Sequence, residues 1–302
     1  MKAVVLHEYG GPSKLKVEDV DDPKPGAGEV LVRVAATSIN PIDYKIRSGA
    51  MQAIFPTRFP TILGYDLSGT VREVGEGVTQ FKPGDRVMAI APSAYAELVV
   101  VKAAELVLVP DKLDLVEAAA LPLVTNTGEQ LISEGTGIKP GETVLIAGAT
   151  GGVGRTAVLT AKKVGAVVIA GVRTSKIKEA EEIGADQVLA LDDKDALARL
   201  GFVDAVADAV GGQTAELLLG KVKQGGVFAT VTGPPANAAM HPTVKVVMVQ
   251  QHPVAAKIRE LAEDVVAGRL KIPIDRMLPL ADAAEGHAAA EKGGIGKVLL
   301  LA

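Results

Sequence analysis

The sequence predicts an α/β protein in which a β-rich domain is followed by a doubly wound parallel sheet. At 302 residues the chain is longer than one hydrophobic core usually accommodates, so two domains are expected. From Lys2 to about Pro110, short β-rich runs alternate with Gly and Pro, which is typical of a barrel or sandwich. From Thr143 to about Val249, short apolar runs alternate with helical stretches, which is typical of a parallel sheet covered on both faces.

The strands of both parts follow from these runs. In the first part they are 29–34, 69–74, 85–90 and 95–101. In the second part they are 143–147, 166–171, 187–191, 203–207, 226–231 and 244–249. Six strands separated by helices fit a doubly wound fold that binds a dinucleotide.

The C-terminal part departs from the parallel-sheet rhythm. An amphipathic helix is predicted to end at Gly268, and a second helix is predicted to begin with a capping box of Asp282 and Glu285. The apolar run 297–301 is too isolated to extend the second sheet, so we expect it to return to the first domain. The predicted segments are a substrate domain at 1–114, a nucleotide-binding domain at 115–252 and a returning tail at 253–302.

Composition excludes several classes of function. A net charge of −4 and few aromatic residues, with no Trp, argue against a nucleic-acid binder or a protein of anionic membrane surfaces. The absence of Cys removes disulfides, thiolate nucleophiles and cysteine-ligated zinc. The polar residues His7 and Glu8 interrupt the start too early for a signal peptide, and no apolar run approaches about 18 residues. Cytoplasmic residence is therefore expected.

The strongest motif is a glycine-rich turn between a predicted strand and a predicted helix. The strand 143–147 is followed by Gly148 to Gly154, with Ala149 where the usual G-x-G-x-x-G motif has its first glycine. Backbone amides at such a turn and the helix dipole favour a pyrophosphate. The residues expected to contact it are Gly148, Ala149, Thr150, Gly151, Gly152 and Val153.

The end of the second strand of such a fold usually reads the adenosine ribose. The stretch 170–176 carries no carboxylate for a free 2′-hydroxyl, whereas Arg173, Ser175 and either Lys176 or Lys178 could surround a 2′-phosphate. NADPH is therefore favoured over NADH. The alternative is that these cations only solvate an exposed loop.

Five ordered motifs resemble the zinc-independent quinone oxidoreductase branch of the medium-chain dehydrogenase/reductase superfamily, and the resemblance spans essentially the whole chain. They are Asn40-Pro41-Ile42-Asp43-Tyr44-Lys45, the stretch from Gly64 to Val71, Lys82-Pro83-Gly84-Asp85-Arg86-Val87, the turn from Ala147 to Gly154, and Gly296-Lys297-Val298.

The resemblance implies a GroES-like domain beside a Rossmann domain, reduction of quinones or α,β-unsaturated carbonyls by NADPH, and assembly as a homodimer or homotetramer. It places Thr127 at the cofactor phosphates, although Gly128-Glu129-Gln130 replaces the usual aromatic-containing sequence after it. It places Thr232 and Gly233 beside the nicotinamide and Lys297 on the closing strand, and it implies that all three bind the cofactor.

The zinc enzymes of the superfamily differ at their metal ligands. They carry a Cys near the place of Ser38 and a His-Glu pair at Tyr65-Asp66. The four histidines show no close metal-ligand spacing, so zinc chemistry is disfavoured.

The chemistry expected of such a chain is direct hydride transfer to an electrophilic carbon, with a hydrogen-bond donor for the charge that develops on oxygen. The candidate donors are the amide of Asn40 and the hydroxyl of Tyr44. Asn40 could instead only brace the turn at Pro41, and Tyr44 could be a pocket wall. Asp43 and Asp66 are expected to hold turns and strand ends.

Two other functions stay open at this stage. One is an enoyl-thioester reductase, although the tyrosine that this family has after a glycine is missing at Gly49-Ala50-Met51. The other is an NADPH-binding sensor or interaction protein with little turnover. Fold alone does not separate them.

Overall fold

A computed structural model describes all 302 residues and divides into two compact units. Unit 1 comprises Met1–Leu123, Pro253–Gly268 and Ile272–Ala302, and unit 2 comprises Val124–His252 and Arg269–Lys271. The first segment of unit 1 therefore ends at Leu123 rather than at residue 114. Two hydrogen bonds tie this extension to unit 1: Ser68 Oγ donates to the Leu115 carbonyl at 2.5 Å, and the Leu123 amide donates to Asp66 Oδ1 at 2.7 Å.

The chain contains sixteen β-strands and eight α-helices. The strands are β1 (Lys2–Leu6), β2 (Leu15–Asp19), β3 (Glu29–Ser38), β4 (Thr61–Ile62), β5 (Asp66–Val74), β6 (Arg86–Ile90), β7 (Leu98–Lys102), β8 (Val107–Leu108), β9 (Thr143–Ala147), β10 (Val167–Val172), β11 (Gln187–Ala190), β12 (Val203–Asp208), β13 (Val222–Thr230), β14 (Lys245–Met248), β15 (Ile274–Pro279) and β16 (Lys297–Leu301). The helices are α1 (Pro41–Ser48), α2 (Pro122–Gln130), α3 (Gly152–Val164), α4 (Ile177–Glu181), α5 (Lys194–Arg199), α6 (Gly212–Leu219), α7 (Ala255–Val266) and α8 (Ala283–Lys292). None of these helices combines the length and the apolar character that crossing a membrane requires.

Unit 1 is built on a seven-stranded sheet in the order β15-β16-β3-β5-β6-β8, with β7 also pairing β3. Along β3, Val30, Val32 and Val34 alternate into a shared apolar core, as the period of two in a strand requires. The predicted tail strand forms at β16 and pairs antiparallel with residues 36–38 of β3. The tail therefore lies inside the sheet of the β-rich unit.

Unit 2 contains a six-stranded parallel sheet in the order β11-β10-β9-β12-β13-β14. Residues 144–146 of the central strand β9 have no exposed surface, because helices cover both faces of a parallel sheet. The strand order reverses beside β9, and ligands of such sheets bind at the carboxyl ends of the strands at this switch point. The α/β fold class is confirmed.

One predicted cap is wrong. Asp282 does precede α8, but its side chain makes no capping hydrogen bond and its backbone has φ −96° and ψ 21°. A turn of 3₁₀ helix at Leu280–Asp282 leads directly into α8, so Asp282 has already left the extended conformation that a capping box needs. At the other end of a predicted helix, Gly165 terminates α3 with φ +88°, as expected.

Candidate active site

The glycine-rich turn after β9 is held against the end of β10. Gly148 has φ +78°, which a side chain would disfavour, and its amide and that of Ala149 both donate to the Gly171 carbonyl, at 2.9 and 3.2 Å. The methyl group of Ala149 has no exposed surface and belongs to the apolar core of unit 2. Alanine is therefore accommodated at the place of the first motif glycine, because its side chain packs inward.

Two glycines of this turn lack a side chain for different structural reasons. A Cβ at Gly154 would lie 2.2 Å from the Gly148 carbonyl oxygen, so only glycine lets α3 approach the turn this closely. A Cβ at Gly151 would meet nothing nearer than 3.4 Å. Gly151 is exposed with an ordinary φ of −76°, so its missing side chain leaves open space above the turn.

A second close approach fixes α2 beside α3. A Cβ at Gly128 would lie 2.3 Å from the Val153 carbonyl oxygen, so α2 touches the first turn of α3 at this residue. The glycine that departs from the usual aromatic-containing sequence thus has a packing reason. Thr127, the preceding residue, is 8% exposed beside this contact.

The amides at the start of α3 have no acceptor within the helix. The first hydrogen bond from helix to turn is donated by Arg155 to the Gly151 carbonyl at 2.8 Å, so Gly152, Val153 and Gly154 precede the i→i−4 ladder. Three such donors beside the space at Gly151 fit the oxygens of a pyrophosphate.

The side chain of Arg155 holds the same turn in place. This residue was not identified from the sequence. Its Nε donates to the Thr150 carbonyl at 2.9 Å, and its Nη2 forms an ion pair with Glu179 at 2.6 Å. The positive charge is therefore already paired within unit 2. The sequence contains no signal for this contact, because Glu179 follows 24 residues later in another helix.

The loop after β10 carries one cationic side chain that is ion-paired within the protein and two that are not. Lys176 pairs with Glu179 at 2.7 Å, whereas Arg173 and Lys178 are exposed and make no hydrogen bond or ion pair within the protein. Ser175 is exposed as well. Of the two lysines that the sequence left open, Lys178 is the one available to a ligand.

Asp192, which sequence reasoning also missed, lies against this loop. Its Oδ1 accepts hydrogen bonds from the Thr174 amide at 2.7 Å and from Thr174 Oγ1 at 2.8 Å. These bonds, with a smaller effect from the charge of Arg173, hold the pKa of Asp192 below its ordinary value. The available signal was its position directly after the predicted strand 187–191, because the carboxyl ends of neighbouring parallel strands meet at one edge.

A buried carboxylate joins the ends of β12 and β13. Asp208 Oδ1 accepts from the amides of Val210 and Gly211, both at 3.0 Å. Its Oδ2 accepts from Thr230 Oγ1 at 2.8 Å and Thr232 Oγ1 at 3.0 Å. The hydroxyl of Thr232 is therefore used to hold the ends of β12 and β13 together. The adjacent Gly233 has φ +124° and open space at its Cβ position, so the backbone at this residue is accessible.

In unit 1, Lys297 is the centre of a second buried cluster. Its Nζ lies 2.7 Å from Asn40 Oδ1, 3.1 Å from the Ile39 carbonyl and 3.5 Å from Asp66 Oδ2. Burial lowers the pKa of Lys297, and the nearby carboxylate of Asp66 opposes that shift. Two of the three donors of this ammonium hydrogen-bond to oxygens of unit 1, and the carboxylate of Asp66 lies within ion-pair distance. The cofactor contact expected of Lys297 stays a prediction.

Asn40 is equally engaged. Its Nδ2 donates to Asp66 Oδ2 at 2.8 Å and lies 3.3 Å from the Ser38 carbonyl, while its Oδ1 accepts from Lys297. The side chain is 1% exposed. These bonds tie Asn40 into the buried cluster, and its expected donation to substrate stays a prediction.

Asp43 ends a directional chain of buried hydrogen bonds. Arg47 has donors only, so its Nη1 donates to His287 Nδ1 at 3.2 Å, His287 Nε2 donates to the Tyr95 hydroxyl at 3.1 Å, and Tyr95 donates to Asp43 Oδ2 at 2.9 Å. Asp43 Oδ2 also accepts from the Asn40 amide at 2.7 Å, and Oδ1 is buried without a partner. Burial raises the pKa of Asp43 to about 7 and, with the charge of Arg47, lowers the pKa of His287 to about 3.

Tyr44 differs from these residues because its hydroxyl makes no hydrogen bond within the protein. The side chain is half-buried on α1. Burial, and then the charges of Glu291 and Asp43, raise the pKa of Tyr44, so the hydroxyl stays protonated at neutral pH and can donate.

The comparisons with known proteins cover both units. Residues 26–111 match the family described as alcohol dehydrogenase GroES-like domain, and residues 183–300 match the family described as zinc-binding dehydrogenase. A quinone oxidoreductase of Pseudomonas aeruginosa is 32% identical over 99% of this chain and 99% of its own length. The chain belongs to the quinone oxidoreductase branch of the medium-chain dehydrogenase/reductase superfamily. It is an oxidoreductase.

Two further proteins similar to this chain concern the cofactor. The NADPH-dependent alkenal/one oxidoreductase of Arabidopsis thaliana is 32% identical over 91% of this chain and 72% of its own length. A mycobacterial protein solved in complex with NADPH is 30% identical, with a TM-score of 0.87 over 100% of both chains.

Near the positions where the resemblance puts the zinc ligands of other superfamily members, the structure has a hydrogen-bonded pair. Ser38 Oγ donates to Asp66 Oδ2 at 2.5 Å, and Tyr65 precedes Asp66. No group of three or more His, Asp or Glu side chains is arranged as a metal site. Asp66 joins β5, α1 and α2 through Asn40 and the Leu123 amide, which is the structural role that the sequence predicted.

Proposed function

We propose that the chain reduces quinones or α,β-unsaturated carbonyls with NADPH and without a metal. The observation that carries the proposal is the segment from Gly148 to Gly154, which follows β9 and includes the first residues of α3, with unpaired amides and open space at Gly151. The names of the relatives, a quinone oxidoreductase and an NADPH-dependent alkenal/one oxidoreductase, support the substrate class and the cofactor.

The proposed binding residues follow from the open donors of unit 2. The amides of Gly152 and Val153, at the turn of Gly148, Ala149, Thr150 and Gly151, would hold the pyrophosphate. Arg173 would pair with the 2′-phosphate, assisted by Ser175 and Lys178, because its guanidinium has no partner within the protein. Thr127 and the backbone of Thr232 and Gly233 remain proposed contacts, whereas Lys297 acts through the cluster in unit 1.

When bound, NADPH supplies a hydride from nicotinamide C4 to an electrophilic carbon of the acceptor. The acceptor oxygen gains negative charge in that step, so a hydrogen-bond donor near it lowers the barrier. We assign this donor to Tyr44, whose hydroxyl is protonated and unpaired. Asn40 becomes a positioning residue, because Lys297 and Asp66 occupy its amide.

The test is oxidation of NADPH and of NADH against a panel of quinones, enals, enones and enoyl thioesters. We expect turnover with quinones or enones and a faster reaction with NADPH. Turnover confined to enoyl thioesters would contradict the proposed substrate class and would identify the protein as an enoyl-thioester reductase. Tight NADPH binding without turnover on any acceptor would instead favour the sensor or interaction protein.

A further inference from the structure

We propose that Asp192 is a specificity-determining residue that weakens the preference of the ribose loop for NADPH, so that NADH also binds. This inference deepens the proposed function and depends on it. The loop concerned is 173–178, which follows β10, and the carboxylate comes from the end of the neighbouring strand β11.

The first observation is that Asp192 already occupies donors of the loop. The amide and the hydroxyl of Thr174 both donate to its Oδ1, at 2.7 and 2.8 Å. A phosphate that approached the loop would find these two donors committed. The remaining open donors are Arg173, Ser175 and Lys178.

The second observation concerns the other carboxylate oxygen. Asp192 Oδ2 makes no hydrogen bond within the protein, and the residue is exposed. The bonds from Thr174 fix the carboxylate beside Arg173, so an unpaired acceptor and an unpaired guanidinium lie at the same edge of the sheet.

These two groups act in opposite directions on the ribose. A 2′-phosphate is attracted by Arg173 and repelled by Asp192, whereas a free 2′-hydroxyl donates to a carboxylate, which is how NAD-binding folds hold their ribose. In those folds the carboxylate stands at the end of the second strand. Here the next strand of the sheet supplies it, which is why residues 170–176 alone suggested a site for NADPH.

The test measures dissociation constants rather than turnover. Titrations of NADPH, NADH, 2′,5′-ADP and ADP are compared between the parent chain and Asp192→Asn. Asparagine keeps an oxygen for the two donors of Thr174, so the loop stays capped while the charge is removed. We expect NADPH and 2′,5′-ADP to bind about tenfold more tightly, corresponding to about 1.4 kcal/mol. NADH and ADP should bind several-fold more weakly, because the amide nitrogen that replaces Oδ2 cannot accept a hydrogen bond from the 2′-hydroxyl. The gain in affinity for NADPH should shrink at about 0.5 M salt, because salt screens the repulsion between the exposed carboxylate of Asp192 and the 2′-phosphate.

Two variants serve as controls. Arg173→Ala should lower NADPH affinity about ten- to hundredfold and leave NADH nearly unchanged, since it removes a charge-assisted hydrogen bond to the 2′-phosphate. Asp193→Asn removes the same charge one residue later, where the side chain caps α5 through the amides of Asp195 and Ala196. It should leave the ratio of NADPH to NADH affinity close to that of the parent chain.

The outcomes separate the two proposals. A parent chain that binds neither dinucleotide overturns the proposed function and this inference together. A parent chain that binds NADPH, with an unchanged ratio of NADPH to NADH affinity in Asp192→Asn, overturns the role of Asp192 alone. An equal change of that ratio in Asp193→Asn also overturns it, because the effect would then be one of general charge.

Discussion

Tyr44 and Asp43 are neighbours on α1 with opposite surroundings. Asp43 has no exposed surface and accepts hydrogen bonds from Tyr95 and from the Asn40 amide. Tyr44 is half-buried, and its hydroxyl is not used by the protein. A polar group that the fold does not need can be removed without loss of structure, which makes Tyr44 a clean place to test chemistry.

We expect Tyr44→Phe to lower kcat on enones by roughly tenfold or more, because the developing charge on oxygen loses a donor. The melting temperature should stay close to that of the parent chain. Tyr9→Phe is the control, since the Tyr9 hydroxyl accepts from the Thr57 amide at 3.1 Å and has no assigned part in the reaction. Unchanged kinetics in Tyr44→Phe would leave Tyr44 only a role as a pocket wall.

At the scale of single elements, two glycines at the start of α3 have different roles, one in the proposed binding of the cofactor and one in packing. Gly151 and Gly154 stand three residues apart, yet a Cβ at Gly151 has room and one at Gly154 collides with backbone atoms of Gly148 and Ala149. The same substitution at the two positions therefore tests two different requirements of one element.

We expect Gly154→Ala to destabilise unit 2 by about 1–3 kcal/mol or more, because α3 must move away from the turn. Gly151→Ala should leave stability nearly unchanged and weaken NADPH binding by roughly tenfold, since its methyl group occupies the approach to the amides. Urea unfolding and NADPH titration measure the two effects. A stable Gly151→Ala variant with the affinity of the parent chain would contradict the assignment of the turn.

The strands were predictable because their signals are local. The apolar runs 143–147 and 297–301 agree with β9 and β16 at both ends, and the isolation of the second run placed it in the β-rich unit. The start of β13 lies at Val222 rather than at 226, because the strand continues through Gly225 and Gly226, which interrupt the apolar run. Local pattern fails where a glycine lies inside an element.

The site was predictable only in its motifs. The turn at Gly148 and the loop at Arg173 follow from spacing along the chain. The contact of Arg47 with His287 spans 240 residues, and that of Lys297 with Asn40 spans 257. Sequence periodicity does not indicate contacts between residues so far apart. The hydrogen bond between Asn40 and Lys297 is therefore visible only in the folded structure.

At the scale of the whole molecule, the two units can be followed separately. The four tyrosines Tyr9, Tyr44, Tyr65 and Tyr95 all belong to unit 1, and the chain has no Trp. Tyrosine fluorescence therefore reports unfolding of unit 1, whose buried Asp43 and His287 link its stability to pH.

These two residues act in opposite directions. The folded-state pKa of Asp43 is raised from 3.8 to about 7, so its stabilising contribution is present below pH 3.8 and is lost as pH rises through 7. The folded-state pKa of His287 is lowered from 6.5 to about 3, so its contribution is present above pH 6.5 and is lost as pH falls through 3. Between about pH 4 and 6.5 the two slopes offset each other.

We expect Asp43→Asn to gain stability relative to the parent chain as pH rises from 4 to 7, by a few kcal/mol, and to show no further gain above 7. The amide can still accept from Tyr95 and Asn40, and its nitrogen replaces an oxygen that has no partner. Urea unfolding followed by tyrosine fluorescence measures the difference. The exposed Asp21→Asn is the control for loss of one carboxylate, and a pH-independent difference for Asp43→Asn would contradict the expectation.

The position of β16 has a consequence for the order of synthesis. Residues 36–38 of β3 lie between β5 and β16, so one of their two neighbours is translated only after all of unit 2. Until Lys297 leaves the ribosome, the carboxylate of Asp66 has no ammonium beside it. Unit 2 is translated almost entirely as one continuous segment and can fold during synthesis, whereas unit 1 begins first and is completed last.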